Sequence, residues 1–323
     1  MSTFLSRRRG LLTGALLAGA LLAGLPAANA ADEQLIRIGY QKSSTLITVL
    51  KTNGALEKRL AGLGVKVSWH EFSSGLPLLE ALNVGGVDLS ADVADTVPVF
   101  ALAAGAKLVY LAQEAPSPTA QALVVRADSP IKSVSDLKGK RVAFAKAAGA
   151  HYLLIALLDK AGLRFSDIQP SYLSPADGRA AFELGHVDAW VIWDPFLTSV
   201  QRQTNARVVA DGKGVGDYQR YYLASPTLAK ERPEVLKAVF DELRSTGQWV
   251  KKNPKEAATL LSPIWGLDAA TVEQANSHRS YEVREATPAS LTEQQRIADA
   301  FFKEGVLPKK VNTSEVALWK RPN

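Results

Sequence analysis

Cysteine is absent from all 323 residues. That excludes disulfide staples, thiolate metal sites, cysteine nucleophiles and a lipid-modified N-terminal cysteine. Histidine is scarce, at four residues. No two histidines stand at i and i+4, and neither His70 nor His151 has a metal-ligand partner at useful spacing, so no metal is expected. A Gly-x-Ser-x-Gly elbow is missing, and the glycines around Lys213 lack the phosphate-loop pattern and read as a surface turn. With no catalytic constellation and no cofactor motif, an enzyme is disfavoured. Beyond residue 25 no apolar run approaches the roughly 20 residues that span a bilayer. Runs of Lys and Arg of nucleic-acid length are missing too. Three arginines and no acid fall within residues 1–30, which leaves 35 basic against 32 acidic residues in the remainder. A polynucleotide partner is therefore not expected.

The start of the chain is compositionally distinct. Ser6-Arg7-Arg8-Arg9 leads into an apolar run to Leu25, followed by Ala28-Asn29-Ala30. A charged start, a short apolar core and a small-x-small end describe a secretory signal peptide over residues 1–30, with cleavage after Ala30. The arginines after Ser6 fit a twin-arginine leader, although Gly10 stands where that pattern has Phe, so both export routes stay open. Without a cysteine to acylate, the exported protein is expected to be soluble and unanchored. Its natural compartment is the periplasm of a two-membrane bacterium.

The rest of the chain states one pattern twice. The strand Ile36-Arg37-Ile38-Gly39-Tyr40 begins a strand–helix–strand–helix series that ends in Gly85-Gly86-Val87-Asp88. Arg141-Val142-Ala143-Phe144 begins another that ends in Gly185-His186-Val187-Asp188. Period-two apolar strands alternating with helical stripes predict an α/β fold. Because Asp88 echoes Asp188, a structural role is expected for both. Two similar α/β lobes imply a ligand cleft between them. Amphipathic helical patterns at residues 235–250 and 294–305 are expected to pack back on the first lobe. Lobe 1 is then read as residues 31–114 and 226–323, lobe 2 as 115–225, joined by crossover segments at 112–121 and 221–226.

Particular stretches resemble the aliphatic-sulfonate-binding proteins, the periplasmic receptors of sulfonate, nitrate and taurine ABC importers. They include Ile38-Gly39-Tyr40-Gln41-Lys42, Leu79-Glu80-Ala81-Leu82-Asn83-Val84-Gly85, Asp136-Leu137-Lys138-Gly139 and Trp190-Val191-Ile192-Trp193-Asp194-Pro195. The resemblance runs in order over essentially the whole chain after the leader. It implies a two-lobed periplasmic binding protein of type II, closing over a small organosulfonate and delivering it to an ABC permease in the inner membrane, as a monomer. Nitrate, taurine, a sulfate ester or a pyrimidine are the alternative ligands, and a pyrimidine-forming enzyme on the same fold is the reading from another class. The sequence departs from the family at Ala147-Ala148-Gly149-Ala150, where members carry Gly-Ser-Ser ahead of His151, and it has an extra acid, Asp92, beside Asp95.

A sulfonate is a permanent monoanion with three acceptor oxygens, so backbone N–H groups at helix N-termini suffice to hold it. Four turns follow strands and precede helices, where cleft-facing loops belong. They supply the candidates Gln41 and Ser43; Ser74 and Gly75; Asp92, Asp95 and Thr96; and Ala148, Gly149 and His151. Such residues also cap helices whatever a protein binds. Trp193 is expected to cover an apolar tail and Asp194 to orient a donor, with a core indole and a strand-end carboxylate as the structural readings. Tyr222 is a phenol donor or an ordinary buried tyrosine. Capture by backbone dipoles predicts affinity nearly flat between about pH 6 and 8. A loss as pH rises would implicate His151 as a charged donor.

Overall fold

A computed structural model describes residues 34–322. In chain order, β1 (Gln34–Gln41), β2 (Val65–Phe72), β3 (Leu89–Ala94) and β4 (Val109–Glu114) enter one sheet. Then β5 (Gln121–Val125), β6 (Arg141–Phe144), β7 (Gln169–Tyr172), β8 (Ala189–Trp193) and β9 (Arg207–Asp211) build a second. Finally β10 (Arg220–Ala224), β11 (Val283–Arg284) and β12 (Ala317–Leu318) return to the first. The strand orders are β2-β1-β3-β10-β4-β11, with β12 also on β4, and β7-β6-β8-β5-β9.

The sequence repeat is thus a repeat of topology. In each sheet a central strand, β1 or β6, pairs in parallel on both sides. An antiparallel strand then joins the third: β10 on β3, and β5 on β8. Each of these antiparallel strands is the one that has just crossed from the other sheet. The paired aspartates explain the echo. Asp88 Oδ2 accepts the N–H of Arg37 at 2.8 Å, and Asp188 Oδ2 accepts that of Arg141 at 2.7 Å. In return each aspartate N–H donates to the arginine carbonyl at 2.8 Å. The two residues lock the entry of the third strand to the entry of the first, a structural role in both halves.

Alternate apolar residues on the strands bury against helices on both faces. Trp190, Phe144, Tyr110 and Tyr221 are among the largest side chains with almost no exposure, each contributing about 1.5–3 kcal/mol of apolar burial. The 20-residue helix Pro233–Lys252 presents Val235, Leu236, Val239, Phe240 and Leu243 inward and packs on the helix Thr45–Asn53 of the first sheet, as its periodicity predicts. The helix Thr292–Lys303 does more than the sequence suggests. It packs on helix Thr96–Ala103 and on helix Gly149–Lys160, one from each sheet.

One boundary differs from the sequence reading. Residues 221–224 are not a crossover but belong to β10, wholly buried in the first sheet. The return crossing is residues 212–219, so Tyr222 stands in a strand and not in a hinge. The glycines around Lys213 make that crossing possible. Gly212 N donates to Pro118 O and Ser117 N donates to Asp217 O, at 3.0 and 2.9 Å, tying the two crossing segments together. A Cβ on Gly212 would lie 2.6 Å from Pro118 O, so only glycine admits this approach.

Candidate functional site

The C-terminal ends of β1, β2, β3 and β6 lead into the four turns that the sequence singled out, and β8 ends at Trp193. After β1, Gln41 Nε2 donates to Asp92 O at 3.0 Å, joining the first turn to the third strand. The Ser44 hydroxyl accepts from Gln41 N, and the Thr45 hydroxyl lies 2.8 Å from that of Tyr281. Gln41, Ser43, Ser44 and Thr45 are all buried. Ser74 and Gly75 begin the next helix, Gly75–Asn83, where a Cβ on Gly75 would meet Val97 at 2.9 Å. That glycine lets its helix pack closely on the helix Thr96–Ala103.

Asp92 is not free to meet an anion. It is fully buried, and its Oδ2 accepts from Arg220 at 2.7 Å and from Arg279 at 3.1 Å. Arg279 also pairs with Glu114 at 2.7 Å, whose other oxygen accepts the Tyr222 hydroxyl at 2.8 Å. Arg220 in turn donates to the Tyr218 hydroxyl at 2.8 Å. Two arginines and two carboxylates make the cluster neutral, which is what lets four charges remain buried. Asp92 and Tyr222 therefore position arginines. Of the four guanidinium and carboxylate groups, the Arg279 Nε and Asp92 Oδ1 are left without partners.

Asp95 closes the next turn. Its N–H donates to Gln219 O and its carboxylate accepts from Gln219 N, at 3.0 and 2.9 Å, so the end of β3 is stitched to the return crossing. Burial pushes the Asp95 carboxyl up to about 7. The Thr96 hydroxyl beside it is buried with no partner.

On the second sheet, Gly149 opens the helix Gly149–Lys160 against the ring of Tyr218, which would lie 2.5 Å from an added Cβ. Gly149 is thus the seat of Tyr218, and small residues at 147–150 keep that approach open. His151 lies among Phe144, Phe165, Tyr172 and Phe301, with ring centroids 4.7–5.9 Å away. Its Nδ1 accepts the N–H of Ala147, and burial together with Lys146 pulls its pKa down to about 3. The ring is neutral at physiological pH, so the charged-donor reading of His151 is corrected: low-dielectric aromatic packing disfavours its protonation. Trp193, at the end of β8, is buried with an unpartnered indole N–H. Asp194 accepts from the N–H and hydroxyl of Thr198 at 3.0 and 2.6 Å, and its other oxygen lies 2.6 Å from His278 Nδ1. The hydrogen bond to Asp194 raises the pKa of His278.

These contacts bring the turns of the two sheets together. Tyr218 and Gln219 sit between the β3 and β6 turns, and the Asp194–His278 pair joins the β8 turn to the segment after helix Ala269–Ser277. The helices starting at Thr45, Gly75, Thr96 and Gly149 have no side-chain cap. By contrast Ser174, Ser225 and Asp268 cap the helices that start beside them. The open N–H groups and positive dipole ends of these four helices stand at the ends of β1, β2, β3 and β6. Arg220, Arg279, Tyr218 and His278 were not among the sequence candidates. Their partners are up to 187 positions away, and the polar break at 276–281 is a sequence trace of His278 and Arg279 alone.

Comparison with known proteins agrees with this architecture. Residues 61–257 match the NMT1/THI5-like family. A relative in Escherichia coli K12, named for binding aliphatic sulfonates, is 39% identical over 313 residues, 97% of each chain. The alkanesulfonate-binding protein of Xanthomonas axonopodis pv. citri, solved bound to MOPS, matches with a TM-score of 0.82 at 39% identity, over 87% of this chain and 97% of that one. The periplasmic aliphatic sulphonate binding protein of Escherichia coli gives 0.81 at 39% identity, over 88% and 97%. The duplicated sheet topology, its two hydrogen-bonded crossings and a likeness that spans nearly the whole chain place it in a single group: it belongs to the NMT1/THI5-like family, among the aliphatic-sulfonate-binding proteins.

Proposed function

We propose that this chain captures a small organosulfonate between its two sheets and hands it to an ABC permease in the inner membrane, working as a soluble periplasmic monomer without catalysis. The observation that carries the reading is the meeting of four helix starts and unpartnered donors at facing strand ends, where the charge of Asp92 is offset by Arg220 and Arg279. The Thr96 hydroxyl and Trp193 indole N–H lack acceptors, and a sulfonate brings three. The neutral arginine cluster suits a monoanion, because capture then rests on dipoles and hydrogen bonds, with no uncompensated buried cation left in the empty state. Gln41, Ser43, Thr96, Ala148, Gly149 and Trp193 are assigned to ligand contact, while Asp92, Asp95, Asp194 and Tyr222 position the groups around them. The names of the relatives support sulfonate over nitrate or a pyrimidine. Among the described residues no helix is long and apolar enough to cross a membrane, which suits a shuttle.

A thermal-shift series tests the reading. A ligand that binds only the folded state at 100 times its Kd stabilises by about 2.7 kcal/mol. Alkyl and aryl sulfonates are expected to raise the melting temperature, with sulfate, nitrate and pyrimidines inert. A rise with nitrate or a pyrimidine, and none with sulfonates, overturns the substrate and leaves the fold untouched.

A further inference from the structure

We infer that a pocket beside Lys42 selects the tail of the bound sulfonate, favouring a ring-sized tail that ends in a second anionic group. This rests on the sulfonate reading above and refines its substrate class. The pocket has a volume of about 230 Å³ and lies between the sheets. Lys42 follows β1, Pro195 and Phe196 follow β8, and Trp265 and Leu267 come from the end of helix Pro254–Trp265 and the turn after it. Its walls thus continue from the same turns that hold Ser43 and Trp193. Size sets the first preference. An apolar cavity of roughly 150 Å³ accepts benzene, so a ring fits here and a two-carbon tail leaves most of the space unfilled.

Charge sets the second. Of the two cations on the pocket, Arg179 is already satisfied by Glu183, Ser199 and Gln203. Lys42 is exposed and makes no ion pair among the described residues. The indole N–H of Trp265 is buried and has no acceptor. One free cation and one free donor beside the apolar surface of Pro195, Phe196 and Leu267 ask for an acceptor-bearing anion at the far end of the tail. A partly exposed charge pair of this kind changes affinity by about two- to fivefold.

Calorimetric titration of the protein with ethanesulfonate, benzenesulfonate and 4-sulfobenzoate tests this, with Lys42→Ala and Lys42→Glu alongside wild type. Wild type is expected to bind benzenesulfonate more tightly than ethanesulfonate, and 4-sulfobenzoate about two- to fivefold more tightly still. In Lys42→Ala the ratio of the two aryl affinities should fall to about one, and in Lys42→Glu it should invert. Unchanged ratios in both variants, or no gain from the ring in wild type, overturn the pocket assignment while ethanesulfonate binding upholds the sulfonate reading. Failure of all three ligands to bind wild type overturns both.

Discussion

Asp95 shows how one buried carboxyl is tuned by its surroundings. It sits fully inside the protein, holds Gln219 N, and has its pKa raised to about 7 chiefly by burial. An unfolded aspartate titrates near 4. Between those values the folded state keeps a proton that the unfolded chain has released, so stability falls as pH rises through that window, and the full penalty is present above about pH 7. Asparagine keeps the acceptor for Gln219 N and cannot ionise. Asp95→Asn is therefore expected to match wild type near pH 4 and to exceed it at pH 8 by about 1–4 kcal/mol, the range that up to three pKa units allow. Urea melts of the ligand-free protein at both pH values measure this. A variant that is less stable at pH 8 would show that ionised Asp95 is stabilising.

At the scale of elements, the decisive contact is a helix start pressed on a tyrosine from the return crossing. The helix Gly149–Lys160 begins with no side-chain cap and no side chain at its first residue, and the Tyr218 ring fills the space where a Cβ would be. Tyr218 itself takes a left-handed backbone (φ 50°), and so does Ala147 (φ 61°). Two non-glycine residues in that region, both flanking one contact, mean that tertiary packing holds the crossing against local preference. Gly149→Ala would drive a methyl into the ring. The expected loss is about 1–3 kcal/mol of stability by denaturant titration, with weaker sulfonate binding because the ring also braces Arg220. Stability and affinity both equal to wild type would mean that Tyr218 moves aside freely.

For the whole molecule, the important link runs between the β8 turn and the segment after helix Ala269–Ser277. His278 donates to, or pairs with, Asp194 at 2.6 Å, with Thr198 on the other carboxylate oxygen and Arg279 as the neighbouring charge, itself held by Asp92 and Glu114. Asp194 holds the pKa of His278 above its ordinary value. The sign follows: the charged pair contributes fully below the unfolded histidine value of about 6.5, and its contribution is lost as pH rises through the higher folded value. Since the pair bridges turns that the proposed function assigns to the ligand, sulfonate affinity should decline over that rise, where dipole capture alone would be flat. His278→Gln is expected to flatten the profile from pH 6 to 9, read by titration calorimetry. A slope that persists in His278→Gln assigns it to another group, and His151, neutral throughout, is not a candidate.

What the sequence determined by itself was everything carried by local pattern. Period-two strands, helical stripes and the Val-Asp echo state two copies of one α/β unit, because a strand entry needs its clamp wherever the unit occurs. The small residues at 147–150 already marked a close approach of backbone, whereas the glycines near 212, read as a surface turn, were shown by the fold to line the return crossing. Whatever depends on partners far apart was decided only by the tertiary structure. Asp92 reads in sequence as an unwelcome acid beside an anion site, yet Arg220 and Arg279, 128 and 187 positions away, neutralise it. Tyr221 and Tyr222 read as a hinge because the second lobe was taken to run to residue 225 before the chain returned. They form a buried strand because β10 pairs on both edges, antiparallel to β3 and to β4. His151 and His278 are indistinguishable as histidines in sequence. Aromatic packing makes one neutral and a carboxylate makes the other basic, since the charge state of a side chain is set by what surrounds it in space.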